Sequence, residues 1–366
     1  MFVCDKTDEM LNELGSYYGG ITNRAIFHRA IHELLTDRDI DVWFLFPPHT
    51  NEPATIESVR SQYNGDLGAF DDSVHTLMNE SFLFQWDIQN GKPRFVRSYL
   101  FKMTMAHGLE FESSLLATAL TDWFNILREG GVDRVPMSSP EYRAIPSEAI
   151  LTGSNAYGSI PLNLEIPDTR EVVTYDIVSE MVKNAHLIIV INCFCRSSKK
   201  LMHTRTCDHP LETCILFDKL AEDTLKWGEG RIISADEALR IVKDCRAKGL
   251  MTQISNSKEP SILCNCCACC CGVIGGYERK RYVGGKPSRF RISVDPLKCQ
   301  GCGVCTGICP IHSIGMSNGK ANVDDTKCVG CGLCAEHCSS GALHYTLREN
   351  ADTYLPDRER LDVMFL

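Results

Sequence analysis

Apolar and polar positions divide the first hundred residues into three helical patterns and one hairpin pattern. Apolar residues recur at helical spacing in three segments, at residues 25–35, 56–63 and 70–79. Strand-like alternation follows at 82–88 and 94–100, with Asn90-Gly91 as a strong turn signal between the two segments. The pattern therefore predicts a small helical domain that is closed by a hairpin.

Three helices followed by a hairpin resemble a winged-helix domain. A DNA-binding domain of that kind would offer arginine or lysine from its third helix. The third helical segment here instead carries Asp71 and Asp72, Glu80 follows it, and no basic residue stands between them. Residues 1–100 contain 15 acidic and 8 basic residues, a balance that repels a polyanion. We therefore expect a docking or structural role for this domain rather than DNA recognition.

Helical patterns return further along the chain, at 109–129, 175–184 and 234–248. The last of these begins with a capping box formed by Ser234 and Glu237 and ends at Gly249. A polar, proline-containing stretch at 132–146 is typical of a linker, and 187–191 is typical of a short buried strand. Together the patterns predict an α+β fold.

The composition is that of a folded protein, and we expect its cysteines to be free thiols rather than disulfides. Of the 366 residues, 44% are hydrophobic and 20 are cysteine, and the net charge is −9. No apolar run approaches the ~20 residues of a membrane-spanning helix, and the N-terminus lacks the pattern of a signal peptide. We therefore expect a cytoplasmic protein without a membrane span, in which cysteines bind metal instead of forming disulfides.

The cysteine spacing CxxCxxCxxxC occurs twice near the C-terminus. In such paired runs, three cysteines of one run and the last cysteine of the other bind one [4Fe-4S] cluster. The first predicted cluster has the ligands Cys299, Cys302, Cys305 and Cys338. The second predicted cluster has the ligands Cys328, Cys331, Cys334 and Cys309. Zinc and disulfides are the alternatives, but two tandem triplets would be an odd zinc arrangement.

Residues 292–345 resemble the bacterial two-cluster ferredoxin domain. The resemblance includes Val294-Asp295 and Val323-Asp324, which precede the two runs. Ser339 departs from the family, which usually has proline after the last cysteine. Proline at that position would stiffen the turn without binding iron, so the departure concerns local rigidity and not ligation.

Ten further cysteines in the middle of the chain do not follow ferredoxin spacing. Four of them come after the predicted strand: Cys193, Cys195, Cys207 and Cys214. They suffice for one more cluster, with zinc as the rival. Six more lie within eight residues: Cys264, Cys266, Cys267, Cys269, Cys270 and Cys271. We expect irregular backbone in this second group, with thiols that serve more than one centre or one large centre. The isolated Cys245 is expected to be a small buried hydrophobe.

The order of these motifs gives a second resemblance. A winged-helix-like segment, CxCR, CDxPxxxC, CNCCxCCC and a ferredoxin domain resemble a group of uncharacterised 4Fe-4S binding proteins of anaerobic microbes. A looser resemblance, carried by Cys270-Cys271-Gly272, links the middle region to the cysteine-rich sequences of heterodisulfide reductases. We carry no substrate or mechanism over from either resemblance.

These patterns predict three parts: a winged-helix-like docking region (1–131), a cysteine-rich α/β iron-sulfur region (147–276) and a two-cluster ferredoxin domain (292–347). The expected cofactors are two [4Fe-4S] clusters in the last part and one or two further clusters in the middle. No nucleotide or flavin motif accompanies them, which favours electron transfer with redox protein partners in an anaerobic complex over an enzyme. The alternatives are a reductase with an unusual catalytic cluster and a redox-sensing DNA-binding regulator.

Overall fold

The computed structural model describes residues 6–17, 24–48, 51–80, 82–97, 142–151, 177–201, 204–226, 229–256, 260–271, 273–274 and 285–349. They form two compact units, one with the described residues up to 97 and one with most of those from 142 to 349. Both units mix helices and strands, so the predicted α+β class is confirmed. The helix predicted at 109–129 lies outside the described residues.

The first unit contains five described helices and three strands. The helices are α1 (Lys6–Tyr17), α2 (Arg24–Leu34), α3 (Asp37–Leu45), α4 (Ile56–Arg60) and α5 (Leu67–Asn79). The strands are β1 (Ala54–Thr55), β2 (Leu83–Gln89) and β3 (Lys92–Arg97). They form an antiparallel sheet in the order β1-β3-β2.

The β2–β3 hairpin closes as its turn residues require. Asn90 and Gly91 both have positive φ, at 53° and 74°, which is the backbone of the two-residue turn that asparagine and glycine favour. Below the hairpin, the indole Nε1 of the fully buried Trp43 donates to the Phe82 carbonyl at 2.9 Å. The Arg97 guanidinium lies over the Trp43 ring at 4.8 Å from its centre.

Helix α3 was missed in the sequence, although its N-terminus carries a clear signal. The Thr36 side chain accepts a hydrogen bond from the Asp39 backbone N–H, and the Asp39 carboxylate accepts from the Thr36 backbone N–H. This is a capping box with Asp where Glu is more common. The helix has only nine residues and a polar first turn, so apolar periodicity alone does not reveal it.

The second unit is built on a seven-stranded sheet, which we call the cysteine-rich sheet. Its strands are β4 (Tyr142–Ala144), β5 (Ile188–Asn192), β6 (Glu212–Phe217), β7 (Arg231–Ile232), β8 (Met251–Ser255), β9 (Ile262–Cys266) and β10 (Gly285–Lys286). Their order is β10-β4-β8-β9-β6-β5-β7, and only the β10–β4 pair is parallel. The sequence predicted only β5 among these strands.

Five described helices accompany this sheet: α6 (Glu148–Leu151), α7 (Val178–Asn184), α8 (Phe194–Leu201), α9 (Asp218–Lys226) and α10 (Ala235–Ala247). Helices α7 and α10 cover apolar side chains of the sheet, including Val190, Ile215 and Leu263. The Ser234 hydroxyl caps α10 by accepting from the Glu237 backbone N–H at 3.2 Å, which is one half of the predicted capping box. The Glu237 carboxylate accepts from Arg231 at 2.9 Å.

Residues 290–349, which we call the ferredoxin-like segment, end the described chain. Strand β11 (Phe290–Val294) pairs with β14 (Leu343–Leu347), and β12 (Ile314–Ser317) pairs with β13 (Lys320–Val323), both antiparallel. Two short helices, α11 (Val304–Ile308) and α12 (Leu333–Glu336), occupy equivalent positions in the two halves. The duplicated cysteine pattern is thus a duplicated loop–helix structure.

Candidate iron-sulfur and metal centres

Both cysteine runs of the ferredoxin-like segment follow the same local design. An aspartate precedes each run and accepts hydrogen bonds from the turn that follows it: Asp295 from the Leu297 N–H at 2.9 Å, and Asp324 from the Thr326 N–H at 3.0 Å. Gly303 and Gly332 then cap the two helices with φ near +77°. A left-handed residue in the middle of each run turns the chain around one point.

The first group of four thiols is recognised by the effect of three of them on the pKa of the fourth, Cys305. Burial raises the pKa of the Cys305 thiol, and the thiols of Cys338, Cys302 and Cys299 raise it further. Three of these cysteines belong to the first run and Cys338 belongs to the second. We call these four residues the outer set, because the Cys302 side chain is exposed to solvent.

The other four thiols form the inner set, Cys309, Cys328, Cys331 and Cys334, all of which are buried. Burial raises the pKa of the Cys334 thiol well above its usual range, and Cys331, Cys309 and Cys328 add to the effect. Burial also raises the pKa of Cys331 to about 12. A thiol in this environment resists ionisation unless a cation takes the place of its proton.

Backbone N–H groups point at the sulfur atoms of both sets. The Ala321 N–H donates to Cys299 Sγ at 3.4 Å, and the Ser313 N–H donates to Cys309 Sγ at 3.3 Å. Such N–H···S bonds stabilise thiolates and tune cluster potential. Two groups of four thiols, each drawn from both runs and supplied with such donors, fit a pair of [4Fe-4S] clusters.

The ten middle cysteines divide into four and six. The four-thiol group consists of Cys207, Cys267, Cys269 and Cys270, whose sulfur atoms all lie within 4.8 Å of one another. The Sγ–Sγ distances are 4.0 Å for Cys207–Cys267, 3.8 Å for Cys207–Cys270 and 3.7 Å for Cys269–Cys270. The remaining three pairs lie within the same 4.8 Å, so the four sulfur atoms form one compact group.

The remaining six cysteines form what we call the six-thiol ring. Neighbouring thiols shift each other's pKa in the cyclic order Cys193, Cys195, Cys271, Cys266, Cys264, Cys214 and back to Cys193. The sheet explains part of the ring, because Cys214 and Cys264 are direct partners in the β6–β9 register. Cys266 is two residues beyond Cys264 and therefore projects from the same face of β9.

This division corrects the grouping expected from the sequence. The four cysteines between 193 and 214 do not form one site, since Cys207 joins the four-thiol group while Cys193, Cys195 and Cys214 join the six-thiol ring. The second group is also more regular than expected, because Cys264 and Cys266 lie on strand β9. Cys214 lies on strand β6 and not on a loop or helix. Pairing across the sheet, which chain spacing does not reveal, brings these residues together.

Buried polar side chains surround the middle thiols. Arg196 is fully buried, its Nη1 donates to Cys267 Sγ at 3.7 Å, and both of its Nη atoms donate to the Asn265 carbonyl at 3.1 Å. Hydrogen bonds from Cys195 and Cys214 lower the pKa of Cys193 well below its usual range, and the Arg196 charge lowers it further. Gln253 Nε2 lies 3.8 Å from Cys271 Sγ. The sequence analysis did not identify Arg196 or Gln253 as residues that contact the middle thiols, although Arg196 stands directly after Cys195.

Cys245 behaves as the sequence predicts, as a small buried hydrophobe. It is 1% exposed and packs with Leu250, Cys267 and Cys270. Burial raises the pKa of its thiol to about 11. It therefore lies beside the four-thiol group without belonging to it, which makes it a useful control residue.

Arg246 connects the cysteine-rich sheet with the ferredoxin-like segment. Its Nε donates to the Glu336 carboxylate at 2.6 Å and its Nη2 to the Cys331 carbonyl at 2.8 Å. On the sheet side, its Nη1 donates to Thr252 Oγ1 at 3.3 Å, and that hydroxyl donates to Asn265 Oδ1 at 3.1 Å. Polar contacts thus run from the inner set to the neighbourhood of the middle thiols.

Apolar packing joins the same two regions. A single buried cluster contains Cys266 and Cys271 of the six-thiol ring together with all four cysteines of the inner set. Met251 of the sheet and Ile292, Ile311 and Leu333 of the ferredoxin-like segment belong to this cluster. The inner set therefore shares one core with Cys266 and Cys271 of the six-thiol ring, and Cys305 of the outer set belongs to the same core.

Comparison with known proteins identifies the C-terminal part. A family model described as a 4Fe-4S dicluster domain matches residues 291–339, which include both cysteine runs. The match confirms the predicted ferredoxin-like domain. Neither curated proteins nor solved structures gave a match. Among the described helices, none has both the length and the apolar character needed to cross a bilayer.

Proposed function

We propose that this protein is an iron-sulfur electron-transfer protein and a subunit of a larger anaerobic redox complex. The outer set and the inner set would each hold one [4Fe-4S] cluster, and the ten middle cysteines would hold further metal. A bound [4Fe-4S] cluster supplies reversible one-electron chemistry. The chain itself supplies the thiolates, the N–H donors that stabilise them and the apolar cover that excludes water.

The difference in solvent exposure between the outer set and the inner set supports one docking site for a redox partner. The outer set reaches the surface at Cys302, whereas the whole inner set is buried. Electron transfer between proteins requires a close approach, so a redox partner would dock at the loop that carries Cys302. The inner set would face the middle region.

The observation that carries the proposal is the shared core of the inner set and the six-thiol ring. A ferredoxin domain that only exchanged electrons with soluble partners would not need to bury its cysteines against a second group of thiols. Packing the two groups together keeps the distance between their metal centres short and fixed. The six thiols would hold a polynuclear centre at the receiving or donating end of this path.

The N-terminal unit supports a docking role. Helix α3, strand β1, helices α4 and α5 and the β2–β3 hairpin follow one another in the order of a winged-helix domain. Asp71 of α5 is paired with Arg60 at 2.9 Å, and the helix offers no arginine or lysine to a phosphate. We infer a winged-helix domain that binds a protein of the complex, and a DNA duplex should not be retained at physiological salt.

The proposed organisation keeps three parts: the docking region at 1–131, the cysteine-rich region at 147–276 and the ferredoxin domain at 292–347. We also place the protein in the cytoplasm. The cysteines of the described residues are all free of disulfides, and so many buried thiols require a reducing compartment.

Rapid-mixing electron paramagnetic resonance tests the proposed path. The anaerobically purified full chain is mixed with a reduced low-potential dye, and the signals of the ferredoxin and middle centres are followed in time. A Cys305→Ser, Cys334→Ser double variant should lose about eight irons per chain and reduce its middle centre much more slowly. The Cys245→Ala variant should retain its iron and reduce the middle centre at the normal rate.

Equal rates in the double variant and the control would contradict the proposal, because the middle centre would then be reduced without the ferredoxin clusters. Circular dichroism of both variants shows whether the fold is retained. A preparation without iron would remove the proposal altogether.

A reductase is the second candidate, and the size of the six-thiol ring favours it. Six thiols are more than one cubane cluster needs, and the amide of Gln253 lies beside the ring. A centre of this kind could leave one metal position open to a substrate. Binding of a small molecule that changes the spectrum of the middle centre alone would support this function, and an unchanged spectrum with cyanide or carbon monoxide would count against it.

A further inference from the structure

We propose that the four-thiol group, Cys207, Cys267, Cys269 and Cys270, binds a single Zn²⁺ ion and not an iron-sulfur cluster. The sequence places these residues among ligands for further clusters, and the structure separates them from the other six. This proposal does not depend on electron transfer, because a zinc ion has no redox chemistry of its own.

The size of the group decides between one ion and a cluster. Four thiolates around one tetrahedral ion, with metal–sulfur bonds of about 2.3 Å, have sulfur–sulfur distances of about 3.8 Å. In the four-thiol group the distances are 3.7 Å for Cys269–Cys270, 3.8 Å for Cys207–Cys270 and 4.0 Å for Cys207–Cys267, and all six pairs lie within 4.8 Å. In a cubane cluster each thiolate binds a different iron, so the sulfur atoms lie considerably farther apart.

The pattern of contacts leads to the same conclusion. In the four-thiol group every sulfur lies within 4.8 Å of the other three, as the corners of a small tetrahedron do. Among the described residues, the six thiols of the ring form no such compact group. A tetrahedron encloses room for one ion, whereas a ring can surround several.

The surroundings suit a site with excess negative charge. Four thiolates and one Zn²⁺ carry a net charge of −2, and the buried Arg196 guanidinium donates directly to Cys267 Sγ. Leu250 and Cys245 pack against the group on the apolar side. Closed, fully thiolate coordination of this kind is typical of structural zinc.

The ion would connect two separate parts of the chain. Cys207 lies in the segment between α8 and β6, and the other three ligands lie in the turn after β9. The turn after β9 also supplies Cys271 to the six-thiol ring, and Cys193 and Cys195 lie at the start of α8, which precedes the Cys207 segment. Zinc would therefore tie these two segments together beside a redox centre without taking part in electron transfer.

Metal analysis of the full chain tests this assignment. The protein is purified anaerobically from cells grown with both metals, and zinc, iron and acid-labile sulfide are measured per chain. We expect about one zinc in the unmodified protein. Cys269→Ser and Cys207→Ser, placed on the two different segments, should each lose that zinc while iron and sulfide stay unchanged. The matched control Cys245→Ala should keep all three.

A second measurement does not require a variant. Cells grown with cobalt in place of zinc should yield protein with the visible absorption of tetrahedral Co²⁺ bound by four thiolates, and Cys269→Ser should abolish it. The proposal is overturned if Cys269→Ser lowers iron and sulfide together, which indicates a cluster, or if the site holds one iron without sulfide. Neither result affects the iron count of the ferredoxin-like segment, so the two proposals fail separately.

Discussion

The ferredoxin-like segment and the cysteine-rich sheet gather their thiols in different ways. In the ferredoxin-like segment, two tight loops with left-handed glycines each bring three cysteines around a point, and one cysteine is exchanged between the loops. In the sheet, strand register, a long connection and a turn bring cysteines from residues 193–271 into direct contact. Ligands on one loop depend on local backbone conformation, whereas ligands from a sheet depend on the whole fold.

The largest effect is expected from removing the ion pair between Arg246 and Glu336, which joins the two regions. Arg246→Met leaves the nearly buried Glu336 carboxylate without its cation, and we expect a loss of about 3–5 kcal/mol in the free energy of unfolding. Urea unfolding of the anaerobic protein, followed by circular dichroism, measures the loss. The matched variant Arg291→Met removes an exposed pair with Asp325 and should cost about 0–1 kcal/mol.

The double variant Arg246→Met, Glu336→Gln removes both charges and should recover part of the loss, since no buried charge is left unpaired. If Arg246→Met and Arg291→Met cost the same, the two regions are not coupled through this residue.

The second test concerns the middle thiols alone. Arg196→Met removes the buried guanidinium that donates to Cys267 Sγ, and we expect the metal affinity of the four-thiol group to fall by about 10–100-fold. Competition with a zinc chelator measures the affinity. Arg231, whose ion pairs with Glu212 and Glu237 are exposed, provides the control variant Arg231→Met. An unchanged affinity in Arg196→Met would show that the cation does not stabilise the thiolates.

The third test compares the two halves of the ferredoxin-like segment. Gly303 and Gly332 have the same left-handed backbone, but a Cβ at Gly332 would overlap the Tyr345 hydroxyl, whereas a Cβ at Gly303 meets nothing within 4 Å. Gly303→Ala should therefore show only the left-handed penalty of about 1–2 kcal/mol. Gly332→Ala should cost about 1–3 kcal/mol more, because packing must give way.

Thermal unfolding under anaerobic conditions measures both glycine variants side by side. Equal unfolding midpoints for the two variants would mean that the close contact between Gly332, at the start of α12, and Tyr345 does not affect stability.

The smallest expected effect is the contribution of Asp324 to the loss of stability at low pH. A hydrogen bond from the Thr326 hydroxyl, with further help from the Thr326 N–H and Lys327, lowers the pKa of Asp324. A lowered folded-state pKa stabilises the protein above the unfolded value near 4 and loses that effect as pH falls through the folded value. Asp324→Asn should therefore show a smaller drop in urea midpoint between about pH 5 and pH 3 than the unmodified chain. An identical drop would exclude this contribution.

Sequence patterns predicted the ferredoxin-like segment well because its determinants are local. The cysteine spacing and the aspartate before each run act within a few residues of the chain. The Asn90-Gly91 turn of the first unit was predicted for the same reason. The cysteine-rich sheet could not be predicted in the same way. The pairing of Cys214 with Cys264 joins residues 50 positions apart, and short strands such as β7 and β10 carry only two residues each.

The shared core has a consequence for how the protein is made. Since the inner set is buried against the cysteine-rich sheet, iron for the proposed inner cluster would have to reach these thiols before the two regions close on each other. Cells starved of iron should then accumulate chains whose middle region is also open to proteases, although its own sequence is intact. Pulse labelling followed by limited proteolysis would detect such unfinished chains, so the supply of iron during synthesis would set the lifetime of the whole second unit.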